Sequence, residues 1–231
     1  MALYAISDLH LDFNGNKPMN VFGEFWNNHD EKIKTNWINC INDEDTILIA
    51  GDISWSINID EGKKDFDWIN MLPGKKIISK GNHDYWWTSI SKLNNMYENI
   101  SFIQNNFFCY KDYAICGTRG WVSRDSDGFD EHDDKIYNRE ILRLKLSLDS
   151  AVKAGYKKII VMLHYPPFND KYEDSDLTDV MESYGVKKVI YGHIHGPALK
   201  SVNGYLIKNN VEYILTSCDY LNFNPMKIKL V

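Results

Sequence analysis

The chain has 231 residues, a formal net charge of −6, and 44% hydrophobic and 25% charged residues. This composition is ordinary for globular proteins, and it excludes the disordered, collagen-like and low-complexity classes. A chain of this length fits around one hydrophobic core, so we expect a single domain over residues 1–231. The acidic balance argues against a nucleic-acid partner, because nucleic acid is usually bound by a basic face.

The sequence carries no recognisable signal for membrane insertion or export. No apolar run approaches the roughly 20 residues that cross a bilayer. Asp8 is the first charged residue, and no basic segment followed by an apolar stretch precedes it. We therefore expect a cytoplasmic protein with no membrane partner.

The four cysteines lie far apart and form no C-x-x-C pair, which argues against a zinc knuckle or a redox dithiol. Free thiols in a reducing cytosol are the expected state. The alternative is a disulfide between Cys109 and Cys116 across a hairpin, although a chain of this size does not need one.

The first part of the chain alternates apolar strands with helical stretches. Three apolar runs predict buried strands over residues 1–7, 46–50 and 76–79. Between them, apolar residues at three- and four-residue steps predict helices over residues 22–41 and about 60–71. Each predicted strand ends in a polar loop.

The second part of the chain changes rhythm. Residues 101–117 predict a β-hairpin turned near residues 111–112, and an acidic loop follows over residues 123–134. A long amphipathic helix is predicted from Ile136 to Val152. The remaining strands are predicted over residues 158–163, 188–191, 205–208, 212–216 and 226–230. Alternating strands and helices with added antiparallel strands predict an α/β fold.

Five of the predicted strands end in loops that carry metal-binding side chains. Ligands of α/β sheets bind at the carboxyl ends of strands, so these loops are expected to converge. The side chains are oxygen and nitrogen donors with no thiolate, which suits manganese, iron, zinc or nickel better than magnesium or calcium alone. The candidates are Asp8, His10, Asp52, Asn82, His83, His164, His193 and His195.

The spacing of these donors supports a shared site. Asp8 and His10 are two residues apart, as are His193 and His195, so in extended backbone each pair leaves one face of the chain. Asp52 is the natural bridge, because a carboxylate has two oxygens that can bind two cations. Glycines that would let backbone approach a crowded centre are Gly51, Gly81, Gly192 and Gly196.

The donors fall into five motifs in a fixed order. These are Asp8-Leu9-His10, Gly51-Asp52, Gly81-Asn82-His83-Asp84, His164 and Gly192-His193-Ile194-His195. In this order they resemble the motifs of the calcineurin-like metallophosphoesterase superfamily. The combination is specific, although any one motif alone is weak. The resemblance implies a four-layer α-β-β-α sandwich, with two mixed β-sheets flanked by helices, and a binuclear metal centre at their edge.

The resemblance also implies a role for each matched residue. Asp8, His10, Asp52 and His195 would hold one divalent ion, and Asp52, Asn82, His164 and His193 the other. His83 would lie beside the substrate as a general acid or phosphate-binding group. Asp84 would orient the ring of His83 or cap the following helix. Arg119 is a candidate phosphate clamp, with a surface salt bridge as the alternative.

The implied function is metal-dependent hydrolysis of a small phosphomonoester or phosphodiester. Two cations would lower the pKa of a bridging water, and the resulting metal-bridging hydroxide would attack the phosphorus while His83 protonates the leaving oxygen. Residues 53–60, 85–87 and 119–134 would form the rim of the site. The tryptophans in and beside these segments are expected to pack in the core rather than stack on a base.

Other functions are left open at this point. A non-catalytic metal-binding scaffold of the same fold would not need the complete set of donors. A nuclease would be expected to carry a basic stripe, which is absent. Protein phosphatases of the eukaryotic type usually carry Glu in the position of Asp84. Cyclic-nucleotide diesterases and nucleotide or lipid-precursor pyrophosphatases fit the same core.

Overall fold

The computed structural model describes residues 1–230 and arranges their strands in two β-sheets. The first sheet has five strands in the order β11-β1-β2-β3-β4, and only β11 is antiparallel to its neighbour. Its strands are β1 (Leu3–Ala5), β2 (Thr46–Ile49), β3 (Lys75–Ile78), β4 (Ile100–Phe102) and β11 (Met226–Lys227). β2 is buried along its whole length, as expected for a strand of a sheet covered on both faces.

The second sheet has six strands in the order β5-β6-β7-β8-β10-β9. Its strands are β5 (Phe108–Tyr110), β6 (Tyr113–Gly117), β7 (Lys158–Met162), β8 (Lys188–Tyr191), β9 (Tyr205–Lys208) and β10 (Val211–Leu215). The four central strands are parallel, while β5 and β9 are antiparallel strands at the two edges. Both sheets are therefore mixed, as the resemblance implied.

Five α-helices cover the outer faces of the two sheets. They are α1 (His29–Cys40), α2 (Lys63–Met71), α3 (Ile90–Leu93), α4 (Glu131–Lys153) and α5 (Asp176–Ser183). Trp37 of α1 and Phe66 of α2 pack on the first sheet, and Leu148 of α4 and Met181 of α5 pack on the second. This arrangement confirms the predicted α-β-β-α sandwich.

The faces of the sheets that meet each other form a third apolar cluster. Leu48 and Ile77 of the first sheet lie in this cluster with Ile160 and Ile190 of the second. Full burial of an aliphatic side chain contributes roughly 1.5–3 kcal/mol, so this layer holds the sheets together. Ser7 after β1 and Ser217 after β10 pair in a parallel bridge, so the carboxyl ends of the parallel strands of both sheets share one edge of the sandwich. No helix in the described part of the chain combines the length and apolar character needed to cross a bilayer.

Several predicted elements have different bounds in the structure. The helix predicted over residues 22–41 begins only at His29, after 3₁₀ turns over Met19–Phe22 and Glu24–Trp26. Gly23 (φ 128°) and Asn28 (φ 50°) interrupt it with backbone that a right-handed helix cannot contain. Residues 100–102 do not join the predicted hairpin, because they pair with β3 in the first sheet.

Capping explains two further differences. The loop predicted over residues 123–134 ends at Asp130, whose carboxylate accepts hydrogen bonds from the backbone N–H groups of His132 and Asp133 and starts α4. Helix α5 was not predicted, and it starts at a similar capping box on Ser175. In the predicted strand over residues 226–230, only Met226–Lys227 pairs as a strand.

The alternative of a Cys109–Cys116 disulfide is wrong. All four cysteines are free thiols. In the β5–β6 hairpin Cys109 lies opposite Ala114, and the buried thiol of Cys116 faces the carbonyl of Ser147 in α4 instead.

Candidate metal centre

The ends of β1 and β2 bring the first predicted ligands together. The backbone N–H of Asp8 donates to the carbonyl of Gly51, and that of His10 donates to the carbonyl of Asp52. One ligand atom from each of Asp8, His10 and Asp52 lies within 4.8 Å of the others, and all three residues are buried. These side chains form the first candidate ligand group. The ring of His195 lies beside it, with its centroid 5.0 Å from that of His10.

A second ligand group forms on the other side of Asp52. The side-chain oxygen of Asn82 lies 2.7 Å from Nε2 of His164 and 2.9 Å from Nδ1 of His193. Those two imidazole nitrogens are 3.3 Å apart, and Nε2 of His164 lies 3.4 Å from Oδ2 of Asp52. The carboxylate of Asp52 therefore lies between the two groups.

The backbone of this site is not extended, contrary to the geometry expected from the donor spacing. The φ angles of Asp8, His10, Asp52 and His193 are 57°, 46°, 54° and 71°. Left-handed backbone is uncommon for residues other than glycine and costs of order 1–3 kcal/mol where it occurs. The predicted pairs still converge, because tight left-handed turns aim the side chains inward.

Three of the four predicted glycines are required by close packing. A Cβ on Gly81 would lie 2.1 Å from Oδ1 of Asp52, and one on Gly192 would lie 2.5 Å from Oδ2 of Asp8. A Cβ on Gly51 would lie 2.6 Å from the Cα of Gly81. The expectation is wrong for Gly196, where a Cβ would meet nothing within 4 Å.

We expect Gly81→Ala to weaken binding of manganese by about 10- to 100-fold, because the added methyl group displaces the carboxylate of Asp52. Calorimetric titration of the metal-free protein measures the effect. Gly185→Ala is the control, because the Cβ added at Gly185 would face open space far from the ligand loops, and only its φ of 70° is strained. Wild-type metal affinity in Gly81→Ala would contradict the expectation.

The charges of the buried groups favour a bound cation. Burial raises the pKa of Asp8 to about 8, and the negative charge of Asp52 contributes in the same direction. Burial also lowers the pKa of His10 well below its usual value and that of His193 to about 3, so both rings are neutral near pH 7. Asp52 and Asp8 instead raise the pKa of His164 to about 9 against the effect of burial. A bound divalent ion would favour the carboxylate of Asp8 and the neutral imidazole of His164, because these are the forms that bind metals.

The site also contains polar atoms that lack a partner within residues 1–230. Both ring nitrogens of His10 and Oδ2 of Asp52 are buried without a hydrogen bond. Leaving buried polar atoms unpaired costs about 1–3 kcal/mol each. Divalent ions would satisfy these atoms, so the residues present fit the metals that the sequence implied.

A family model described as calcineurin-like phosphoesterase matches residues 1–197 of this chain. The chain belongs to the calcineurin-like phosphoesterase family. Members of this family use divalent metals, and the chain is accordingly a hydrolase of phosphoric esters. Metal-dependent phosphoester hydrolysis is its general chemistry.

Individual relatives agree with this assignment. The phosphoesterase is 27% identical over 205 residues to a probable cyclic nucleotide phosphodiesterase of Ruthia magnifica subsp. Calyptogena magnifica, covering 84% of this chain and 77% of the relative. Its fold is similar to that of phosphopantetheinyl hydrolase PptH of Mycobacterium tuberculosis, with a TM-score of 0.59 and 14% identity over 98% of this chain and 95% of that one. The protein TT1561 of Thermus thermophilus gives a TM-score of 0.58 at 9% identity, covering 93% and 88% of the two chains.

His83 of the phosphoesterase lies at the edge of the ligand groups. Its backbone N–H donates to Oδ1 of Asp52, and its ring is 5.8 Å from that of His10 and 4.3 Å from that of Trp55. The ring is half-buried, and its Nδ1 has no hydrogen-bond partner within residues 1–230. Burial lowers the pKa of His83, and the positive charge of Lys17 acts in the same direction.

Asp84 does not orient the ring of His83, as the resemblance had suggested. Its buried carboxylate accepts hydrogen bonds from the backbone N–H groups of Gly81, Asp52 and Ile53 and from the indole of Trp86. It also does not cap a helix, since the next helix, α3, begins at Ile90 after Ser89. Asp84 instead joins the loops after β2 and β3, which carry Asp52, Asn82 and His83.

Arg119 of the phosphoesterase is mostly buried and forms an ion pair, which was the alternative to a phosphate clamp. Its guanidinium lies 3.8 Å from the buried Glu140 and packs over the ring of Trp121 at 4.3 Å. The carbonyl of Arg119 accepts the backbone N–H groups of His164 and Tyr165. The ion pair exists, but with a buried partner. Arg119 thereby stabilises the loop of His164, and its role as a phosphate clamp stays a prediction.

The sequence analysis did not identify two buried carboxylates that stabilise the ligand loops. Asp65 accepts hydrogen bonds from the backbone N–H of Phe13 and the hydroxyl of Ser54, which join the loops after β1 and β2. Asp219 accepts the N–H of Gly196 at 2.7 Å, directly after His195. Asp65 could have been identified, because it is a charged residue on the apolar face of the helix predicted over residues 60–71. Asp219 carries no comparable signal in the sequence.

The tryptophans divide between the core and the site. Trp86 is buried between Phe66 and Phe102, as predicted. Trp55 instead stacks on the ring of His10, with centroids 4.8 Å apart and an interplanar angle of 21°. It is half-buried and forms one wall of the phosphoesterase site.

Proposed function

We propose that this chain hydrolyses small phosphoesters at a centre of two divalent ions. Asp52 would bridge the ions, with the remaining ligands divided as the family resemblance implied. The proposed ligands are Asp8, His10, Asp52, Asn82, His164, His193 and His195. The position of Asp52 between the two ligand groups is the observation that carries this proposal.

Bound divalent ions would activate a water molecule for attack and neutralise the charge of the phosphate oxygens. The chain supplies the remaining functions. Asp84 keeps the loops of Asp52 and His83 in register through its backbone hydrogen bonds. The half-buried imidazole of His83 lies beside the ligand groups, where it would donate a proton to the departing oxygen. Arg119, whose carbonyl holds the loop of His164 and whose guanidinium pairs with Glu140, would add positive charge for an anionic substrate.

The chemistry of the relatives favours a diester among the phosphoesters. A relative that is 27% identical over 84% of this chain is named a probable cyclic nucleotide phosphodiesterase. The leaving group of an alkyl phosphoester is an alkoxide that needs a proton, and the half-buried His83 beside the ligand groups matches that need for a monoester or a diester.

The experiment compares bis(4-nitrophenyl) phosphate, 4-nitrophenyl phosphate and cyclic AMP as substrates, with manganese, zinc, nickel or magnesium added after removal of metal by chelation. We expect no turnover in the chelated protein, recovery with a transition metal, and faster hydrolysis of the diester. A protein that binds two ions without hydrolysing any of these compounds would be a scaffold, and the proposal would be wrong.

A further inference from the structure

A lysine that no motif includes lies at the open edge of the site. The ammonium of Lys17 is 4.7 Å from the centroid of the Trp55 ring. The same ring stacks on His10 and lies 4.3 Å from the ring of His83. Lys17 is therefore on the side of the site that holds the proposed general acid. Arg119 contacts the opposite side, next to His164 and Tyr165.

The loop that carries Lys17 is held in place by Glu61. The side chain of Asn14 donates to the carbonyl of Glu61, and that of Asn16 donates to its carboxylate. The other carboxylate oxygen of Glu61 accepts the N–H of Ile57, two residues after Trp55. Glu61 thus fixes the lysine loop and the tryptophan loop relative to each other.

The backbone N–H of Lys17 donates to the carboxylate of Asp12, but no carboxylate within residues 1–230 pairs with its ammonium. The side chain of Lys17 is exposed. Contact with the aromatic ring restricts the lysine side chain without neutralising its charge. An ammonium held in this way beside a phosphoesterase site is available to a substrate anion.

We propose that Lys17 binds a second anionic group of the substrate, carried by the leaving group, and the second phosphate of a phosphoanhydride is the form of that group used to test it. This inference rests on the proposed function, because the side of the leaving group is defined by His83. Lys17 would be a specificity-determining residue, and it would not take part in bond cleavage.

The reaction for such a substrate is hydrolysis of a P–O–P linkage. The oxygen of water bonds to one phosphorus, and the bond from that phosphorus to the bridging oxygen breaks. The bridging oxygen leaves with the electron pair on the second phosphate, and the protons of water pass to the products and the solvent. The leaving phosphate is the anionic group that the ammonium of Lys17 would hold in the bound substrate, and Lys17 exchanges no proton in the step.

Binding of two nucleotides to the manganese-loaded protein tests the inference without turnover. α,β-Methylene-ADP has two linked phosphate groups and a P–C–P linkage that water does not cleave, while AMP has one phosphate. We expect Lys17→Met to raise the calorimetric Kd of α,β-methylene-ADP by about 10- to 100-fold and that of AMP by less than about twofold. Lys17→Arg keeps the charge and is expected to retain most of the affinity.

The controls separate this result from general damage. Lys145→Met removes an exposed lysine of α4 and is expected to change neither affinity. An unchanged Kd for α,β-methylene-ADP in Lys17→Met, or an equal loss for both nucleotides, would overturn the inference. Failure of the wild-type protein to hydrolyse any nitrophenyl ester would contradict the proposed function, whereas the binding contrast is measured independently of hydrolysis.

Discussion

Replacing Asp52 with asparagine is expected to lower kcat for bis(4-nitrophenyl) phosphate by at least about 10³-fold. The carboxylate lies between both ligand groups, with Oδ2 unpaired and 3.4 Å from Nε2 of His164. Burial acts to raise the pKa of Asp52, but the positive charge of His164 holds it below the usual range, so the group is ionised. An amide would remove that charge and offer only one oxygen to two cations.

Metal content distinguishes this effect from simple loss of folding. We expect Asp52→Asn to retain fewer ions than the wild type after gel filtration, while its far-ultraviolet circular dichroism is unchanged. Asp179→Asn is the matched control, since Asp179 is an exposed aspartate of α5. Full activity with full metal content in Asp52→Asn would remove the central element of the proposed site.

Replacing His83 with alanine is expected to affect substrates according to their leaving group. An alkoxide needs a proton to depart, so kcat for cyclic AMP should fall by about 10²- to 10⁴-fold. Nitrophenolate leaves readily without a proton, so kcat for bis(4-nitrophenyl) phosphate should fall by less than about 10-fold. The ring of His83 lies 5.8 Å from that of His10, close to the metal ligands without belonging to either ligand group.

The difference in kcat loss between the two substrates is the decisive measurement, because a purely structural role of His83 would lower kcat for both substrates equally. His132→Asn serves as the control, since His132 is exposed in the first turn of α4. Metal content is expected to stay at the wild-type level in His83→Ala. Equal losses for the two substrates would show that His83 positions the site and does not transfer the proton.

The sequence predicts the convergence of the site well because strand ends are easy to identify. Apolar runs such as residues 46–50 have few alternatives to a buried strand, and the carboxyl ends of parallel strands must meet at one edge. The side chains after those runs accordingly meet at that edge. Asp52 lies more than forty residues after Asp8 and His10 in the sequence, yet the ligand atoms of all three lie within 4.8 Å.

The details of the site depend on tertiary structure and could not be predicted in the same way. The left-handed turns at Asp8 and His193 are imposed by surrounding hydrogen bonds, since both oxygens of Asp8 accept the N–H of His193 at 3.0 Å. The contacts of Asp84 with the loop after β2 are equally non-local. Lys17 has no motif because its position is defined by Glu61, far away in sequence.

The ends of β1 and β10 are directly connected beside the ligands. The N–H of Ser7 donates to the carbonyl of Thr216, the N–H of Cys218 donates to the carbonyl of Ser7, and the thiol of Cys218 donates to the carbonyl of Asp8 at 3.0 Å. Thr216 and Cys218 lie beyond residue 197, where the match to the family model ends. The loop after β10 therefore supports a centre whose ligands all come from the matched part of the chain.

This connection has a thermodynamic consequence, because the centre draws ligands from loops of both sheets. An ion that binds only when both sheets are folded opposes the unfolding of either one, and at 100 times its Kd it adds about 2.7 kcal/mol to the free energy of unfolding. The concentration of free metal ion would then determine the melting temperature of the whole chain, including parts such as the core around Trp37 that contact no ligand residue.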